Sequence, residues 1–311
     1  MCDAAGTGGE LTLNFYRIYV GMEHSVPHVC PKGPGKLDRN GALNRVLEFH
    51  FCMCAAHSAT RQDSTFGFVL NYAFQVAEYS KHFTCFSLDL RGTGETDKPD
   101  GAYSTEHLAD DAAAFLQAIG VSKAHIAGLS LGGAIGLWLA AKYPDKVQSL
   151  SVPSGWPKTD PFVKVVIEGF QILAKLLQSV PEMTIRAIFP WCFTPELYAA
   201  KPEYIQSLAD FVRSRPEQPL SSFLQQSNAV LNHDVYAALE RITAPTQITF
   251  GRTDQVTSTR FADQMMRKIR NSELLVFEGC AHYEKVEEFN QRTVQFLRNH
   301  TGGAAPLAGH A

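Results

Sequence analysis

From Phe83 onward, short continuous apolar runs alternate with longer stretches in which apolar residues recur at helical spacing. Residues 83–88 (FTCFSL), 121–127 (VSKAHIA) and 146–152 (KVQSLSV) have the length and character of buried strands. Between the first two, Leu108, Ala112, Phe115, Leu116 and Ile119 fall on one helical face. Ser104 or Thr105 supplies an N-cap there, Glu106 suits the positive first turn, and Gly120 is the stop. A helix over 134–141 follows the second strand. Two more strands, 246–251 and 273–277, flank a helix over 258–269, and a closing helix covers 286–300. This alternation predicts an α/β fold: a mostly parallel central sheet with helices on both faces.

Elsewhere the pattern changes. Residues 11–20 alternate like one or two strands, 21–40 hold three prolines and no period and read as loop, 45–54 reads as a buried strand, and 66–77 starts a helix. Between 153 and 239 the strand signal vanishes. Phe162, Val165, Val166, Phe170, Leu173 and Leu177 repeat at helical spacing, further helices start near 195, 203 and 219, and prolines punctuate the whole stretch. The expected organisation is a core of 1–152 and 240–300, an inserted helical lid of 153–239, and a disordered Gly/Ala/Pro tail of 301–311.

The chemistry gathers at Gly128-Leu129-Ser130-Leu131-Gly132, a G-x-S-x-G turn between an apolar strand and an apolar helix. Glycines on either side let the chain reverse sharply, so Ser130 sits exposed on a strained backbone beside the Leu131 N–H and the helix N-terminus. One such pentapeptide is weak, because an ordinary glycine-rich turn can match it. A serine nucleophile also needs a base and an acid that orients the base. In an open α/β sheet these belong in loops beyond the carboxyl ends of strands. Asp254 directly follows the strand at 246–251, and His282 follows the next. A strand-end Asp alone more often caps a turn, and a lone His is as often structural. Their joint occurrence, in the order Ser, Asp, His, makes the nucleophile, acid and base reading the stronger one. His233, beside Asp234, is the reserve base, and Asp89 the main rival acid, although Asp89–Gly94 reads better as an ordering turn.

Composition narrows the partners. With 45% hydrophobic and 19% charged residues, the 311-residue chain is ordinary globular material. A net charge of -3, with no basic cluster interleaved with aromatics, argues against nucleic acid. Seven scattered cysteines read as reduced thiols rather than a disulfide framework. Cys52-Met53-Cys54 lacks zinc spacing and an answering pair, so no metal or other cofactor is expected. No apolar run reaches the roughly 20 residues of a membrane span. The N-terminal residues lack a signal-peptide pattern, which points to the cytoplasm.

The segments LDLRGTGETDKP, GLSLGGAIGLWLAAKYPDKV, APTQITFGRTDQVT and VFEGCAHYEKVEEFNQRTVQFL resemble the α/β-hydrolase superfamily, especially its lid-bearing esterase, enol-lactonase and C–C-bond hydrolase branch. The resemblance covers about 70–152 and 239–298. It implies Ser130 as nucleophile, Asp254 as acid and His282 as general base. Such families usually carry a His-Gly pair after an early strand, in the loop that gives the second oxyanion donor. This chain has none, so 21–65 is atypical. The Leu131 N–H is one donor, and the second is expected near Ser58, after His57, or near Ser64. Losing one such donor costs about 2.7–4 kcal/mol of transition-state stabilisation.

The expected activity is hydrolysis of a small to medium, apolar carboxylic ester or lactone through an acyl-enzyme. Phe170, Phe189, Trp191 and Phe193 are the candidate apolar roof, although an aromatic helical stripe is more often core than substrate wall. Alternatives are C–C-bond cleavage of ring-fission products, or a ligand-binding receptor or impaired enzyme on the same fold. Dehalogenase and epoxide-hydrolase chemistry needs a carboxylate where Ser130 stands.

Overall fold

The computed structural model of the protein describes residues 45–49, 73–79, 81–94, 96–215, 217–282 and 284–301. The expectations for 11–40, for Ser58 and Ser64, and for the tail beyond Thr301 lie outside those residues. Six strands are described: β1 (Arg45–Phe49), β2 (Thr84–Leu88), β3 (Ala124–Gly128), β4 (Val147–Pro153), β5 (Thr246–Gly251) and β6 (Ser272–Phe277). They form one sheet in the order β2-β1-β3-β4-β5-β6, parallel throughout. The chain steps outward from β1 to β2, returns past β1 to β3, and then winds steadily to β6. This reversal opens a crevice at the carboxyl ends of β1 and β3, where open α/β sheets bind ligands.

Both faces of the sheet are covered, so its strands are apolar runs rather than strict alternations. Ala124 and Ile126 of β3 point into the main core with α2 (Thr105–Ala118) and α3 (Leu131–Lys142). Ala127 and Leu129 point the other way, into a cluster with Phe83 and with Phe296 and Leu297 of α11 (Val286–Asn299). Helix α1 (Ala73–Tyr79) joins that second layer through Tyr79. Helix α3 is apolar nearly all round and buried nearly all round, as such a helix must be. Ser104 caps α2 by accepting the His107 N–H at 3.0 Å.

Between β4 and β5 runs a helical insertion: α4 (Pro161–Leu177), α5 (Val180–Met183), α6 (Phe189–Cys192), α7 (Pro195–Ala200), α8 (Pro202–Ser214) and α9 (Leu220–Leu231). The prolines that punctuate its sequence are helix starters. Pro161, Pro195 and Pro202 each open a helix, where no N–H is needed. In α4 the buried face is Val163, Ile167, Phe170 and Ala174, whereas Phe162 and Val165 of the expected stripe are exposed. The helix carries apolar residues on two sides, so periodicity alone does not select the inner one.

The insertion meets loops that leave the carboxyl ends of strands. Gln226 Nε2 donates to the Arg91 carbonyl at 2.7 Å and Gln218 Nε2 to the Gly92 carbonyl at 3.3 Å, both after β2. Arg260 Nε, after β5, donates to Asp160 Oδ2 at 2.8 Å, and Thr194 binds Glu284 after β6. Beyond β5 the chain closes with α10 (Ala262–Lys268), β6 and α11. Among the described residues no helix is long and apolar enough to cross a membrane.

Candidate active site

Ser130 leaves β3 with φ 54° and ψ -115°, a left-handed conformation that costs a non-glycine residue about 1–3 kcal/mol and persists only where its surroundings enforce it. The surroundings are close backbone contacts. A Cβ on Gly128 would run into the Gly132 carbonyl, and one on Gly133 would meet the Gly128 carbonyl and the Gly155 Cα. Strand and helix therefore approach as only glycine permits. The Ser130 N–H is held by the Pro153 carbonyl at 2.9 Å, and the Ser130 carbonyl takes the Ala134 N–H at 3.0 Å. Ser130 thus sits at the N-terminus of α3. Among the described residues nothing accepts the Leu131 N–H, and the Ser130 hydroxyl makes no hydrogen bond.

Asp254 and His282 follow β5 and β6, adjacent parallel strands. Their loops touch because Gly251 has no side chain, since a Cβ there would collide with the Cys280 and Ala281 carbonyls. The Thr253 N–H donates to the Cys280 carbonyl at 3.0 Å. His282 Nδ1 lies 2.8 Å from Asp254 Oδ2, with the carboxyl buried. The other oxygen, Oδ1, accepts the Val256 N–H at 2.9 Å and the Thr257 N–H at 3.1 Å, and the Thr257 hydroxyl lies 3.2 Å from Oδ2. Burial by itself raises the Asp254 pKa. The His282 ring, then the Thr257 N–H and the Ser154 hydroxyl, outweigh it and hold the carboxyl below its ordinary value.

Ser154, Thr257 and Glu284 were not legible as site residues. Ser154 follows β4 with φ 50°, its hydroxyl faces the His282 carbonyl at 3.4 Å, and its own carbonyl takes the Thr257 hydroxyl at 2.7 Å. Glu284 Oε1 accepts both the N–H of Thr194 at 2.6 Å and its hydroxyl at 2.8 Å, while Oε2 accepts the Ala281 N–H at 2.8 Å. It ties the insertion to the His282 loop. An acid two residues past a histidine is the only local signal for it.

The reserve candidates are otherwise engaged. His233 is buried, with Nδ1 2.8 Å from the Thr105 hydroxyl and Nε2 2.9 Å from the Trp156 carbonyl. Both ring nitrogens are occupied, and burial pushes its pKa down to about 4. Asp234 pairs with Lys158 at 2.6 Å. The turn at Asp89–Gly94 is ordered by the Thr96 hydroxyl on the Asp89 carbonyl at 2.7 Å and by Gly92 N–H to the Asp97 carbonyl at 2.9 Å. Cys280 is no rival nucleophile, because burial pushes its thiol up to about 12 and the thiolate is the reactive form. Among the described residues no group of three or more His, Cys, Asp or Glu is arranged to hold a metal ion.

Of the four roof aromatics, Trp191 and Phe193 line a groove beside Thr194, Thr253, Gln255 and Ala281. Phe170 packs inward in the main core, and Phe189 lies edge-on to Phe193, with ring centroids 5.5 Å apart, in a satellite cluster with Leu208 and Val212. Behind His282 a small apolar cavity is bounded by Leu129, Pro153, Phe277 and Phe289.

Comparison with known proteins agrees with this architecture. The α/β-hydrolase fold family model matches residues 66–289, well over half of the chain. The 2-hydroxy-6-oxo-6-phenylhexa-2,4-dienoate hydrolase of Comamonas testosteroni is 30% identical over 198 residues, 59% of this chain and 65% of its own. The 3-oxoadipate enol-lactonase 2 of Acinetobacter baylyi is 26% identical over 216 residues, 69% of this chain and 77% of its own. The crystal structure of the enol-lactonase from Burkholderia xenovorans superposes with a TM-score of 0.70 at 21% identity, covering 84% of this chain and 94% of that one. The sheet order, the serine turn after β3 and the family match over 66–289 together place the chain in the α/β-hydrolase fold family.

Proposed function

We propose that the protein is a serine hydrolase that cleaves a small to medium, apolar carboxylic ester or lactone through an acyl-enzyme. The observation that carries this reading is the 2.8 Å contact between His282 Nδ1 and the buried Asp254 carboxylate, made from the strand ends beside Ser130. An Nδ1–H donated to that carboxylate leaves Nε2 as the basic nitrogen, the tautomer a general base requires.

In the first half-reaction His282 Nε2 takes the Ser130 proton as Oγ attacks the carbonyl carbon. Negative charge then develops on the carbonyl oxygen, which the Leu131 N–H and the N-terminal end of α3 stabilise. Collapse breaks the ester C–O bond, and His282 returns the proton to the leaving oxygen. For a lactone the leaving oxygen stays tethered to the acyl group. In the second half-reaction His282 deprotonates water, which attacks the acyl carbon, and the acid departs as Ser130 is reprotonated. The Ser130 to His282 hydrogen bond belongs to the substrate complex, since such contacts tighten only when the site is loaded. The second oxyanion donor is expected near Ser58 or Ser64, which lie outside the described residues.

The segment 153–239 acts as a lid on the core formed by 1–152 and 240–300. Its contacts with the loops after β2, β5 and β6 support this role, since substrate enters at that edge. Trp191 and Phe193 supply apolar wall, and Phe170 and Phe189 support it from behind. The 30% identity to a 2-hydroxy-6-oxo-6-phenylhexa-2,4-dienoate hydrolase favours one second reading, C–C-bond cleavage of a ring-fission product by the same residues. A panel of p-nitrophenyl esters, lactones and ring-fission dienoates decides between them. The ester reading expects turnover of esters or lactones with burst kinetics, and turnover of the dienoates alone contradicts it.

A further inference from the structure

Helix α4 carries an apolar stripe that the described residues leave largely exposed. Phe162 is 47% exposed, Val165 68%, Ile172 59% and Leu176 75%, and Gly169 between them faces open space. These five positions follow a 3-4-3-4 spacing, which is the a and d seam of a coiled coil with Phe162, Gly169 and Leu176 at a and Val165 and Ile172 at d. The seam lies on the side opposite the buried Val163, Ile167, Phe170 and Ala174, and apart from Phe162, whose ring lies edge-on to Trp191 with centroids 6.3 Å apart and under the Arg260 guanidinium at 5.4 Å, it is additional to the packing that holds α4 in place. Contiguous apolar surface of this kind marks an interaction site.

The flanking residues identify the occupant. Glu168 and Lys175 stand at the g positions beside the seam, both exposed, and neither forms an ion pair within the described residues. In an antiparallel pair of α4 helices, a layers face d layers and g faces g. The register that sets Val165 against Leu176 and Gly169 against Ile172 puts Glu168 opposite Lys175 of the second copy, twice by symmetry. The same register puts half-buried Val166 against Leu173 on the other flank. Sliding by one heptad in either direction instead sets Glu168 against Glu168, or Lys175 against Lys175. A parallel pair sets these charges against apolar e positions. We propose that the exposed face of α4 is the docking surface for a second copy of this chain, in an antiparallel two-fold helix pair fixed by reciprocal Glu168–Lys175 contacts. Mixed charge along the flank, Lys164, Glu168 and Lys175, suits this occupant better than a lipid surface, which selects a Lys- and Arg-rich polar face. A 17-residue helix is only about 25 Å long, so this contact sits at the small end of specific interfaces, near 1,200 Å² or below.

The test is sedimentation of the full chain over a concentration series. The wild type is expected to dimerise. Ile172→Glu should leave a monomer, and Glu168→Lys or Lys175→Glu alone should weaken the dimer about tenfold, since each creates two like-charge pairs. An equimolar mixture of the Glu168→Lys and Lys175→Glu chains should recover a heterodimer of wild-type strength, because every g contact is then complementary. All three substitutions are on exposed positions, and an unchanged far-ultraviolet spectrum establishes that the chain is folded. A wild type that stays monomeric at tens of micromolar, a dimer indifferent to these substitutions, or a monomer that cosediments with phosphatidylcholine–phosphatidylglycerol vesicles through Ile172 overturns the proposal. These readouts do not involve turnover, so they stand apart from the hydrolase reading.

Discussion

Glu284 reaches across 90 residues of sequence to take both the N–H and the hydroxyl of Thr194, while its second oxygen takes the Ala281 N–H next to His282. One carboxylate therefore fixes the start of α7 and the histidine loop together. Its two oxygens accept from three donors. In Glu284→Gln an amide NH₂ must point at one of these donors. Steady-state kinetics should show kcat reduced about tenfold, the equivalent of one lost charge-assisted contact, with KM changed less. Thr194→Ser, which keeps both donors, should behave like the wild type. Full activity in Glu284→Gln would remove the carboxylate from any role at the site.

Gly251→Ala is a second test, of how the Asp254 and His282 loops meet. The added methyl has the Cys280 and Ala281 carbonyls in its way, so the two loops must separate. Overpacking of this kind costs about 1–3 kcal/mol of stability. Because the strain falls between Asp254 and His282, hydrolysis should drop by orders of magnitude at a temperature where the variant is still folded. A variant destabilised but fully active would show that the loops can part without disturbing the pair.

Two buried histidines make the fold acid-sensitive. Burial pushes the pKa of His125 down to about 4, aided by the charge of His300, and burial does the same to His233. In the unfolded chain both titrate near 6.5. Between these values the unfolded state binds protons that the native state refuses, so stability is complete above about pH 6.5 and falls as pH drops toward 4. Each ring accounts for on the order of 2–3 kcal/mol by the lower end. Denaturant unfolding across this range should show a steeper loss for the wild type than for a chain carrying His125→Gln and His233→Gln. Equal slopes would contradict the assignment of neutral buried rings.

The aromatic residues of the insertion should divide by where they pack. Phe170 lies in the core, so Phe170→Ala should cost about 3–5 kcal/mol of stability with little change in substrate preference. Trp191 lines the groove by Ala281, so Trp191→Ala should shift acyl-chain preference with a smaller loss of stability. A thermal melt together with an acyl-length series separates the two outcomes.

The sequence carried the local features well. Ser104 as a cap, the Ser130 turn, and the strands leading to Asp254 and His282 each depend on a few neighbouring residues with one physical role. Three things depended on distance instead. The inner face of α4 is set by what packs on it, and a helix with apolar residues at both Val163 and Val165 leaves the choice open. Glu284 acquires its partners only when Thr194 is brought beside it. Ser154 stands in the site through its left-handed φ and its contacts with Thr257 and His282, none of which a serine after a strand announces. His233 shows the converse, a histidine beside an aspartate in sequence whose ring is spent on Thr105 and Trp156.

The most direct test of the proposed chemistry is covalent labelling with a fluorophosphonate, followed by peptide mapping. The account predicts one phosphonyl group per chain, on Ser130, none on Ser130→Ala, and labelling slowed by orders of magnitude in His282→Ala and, at roughly 10⁴-fold, in Asp254→Asn. A folded chain that takes no label, takes it on a different residue, or labels at Ser130 equally fast without His282 would contradict it.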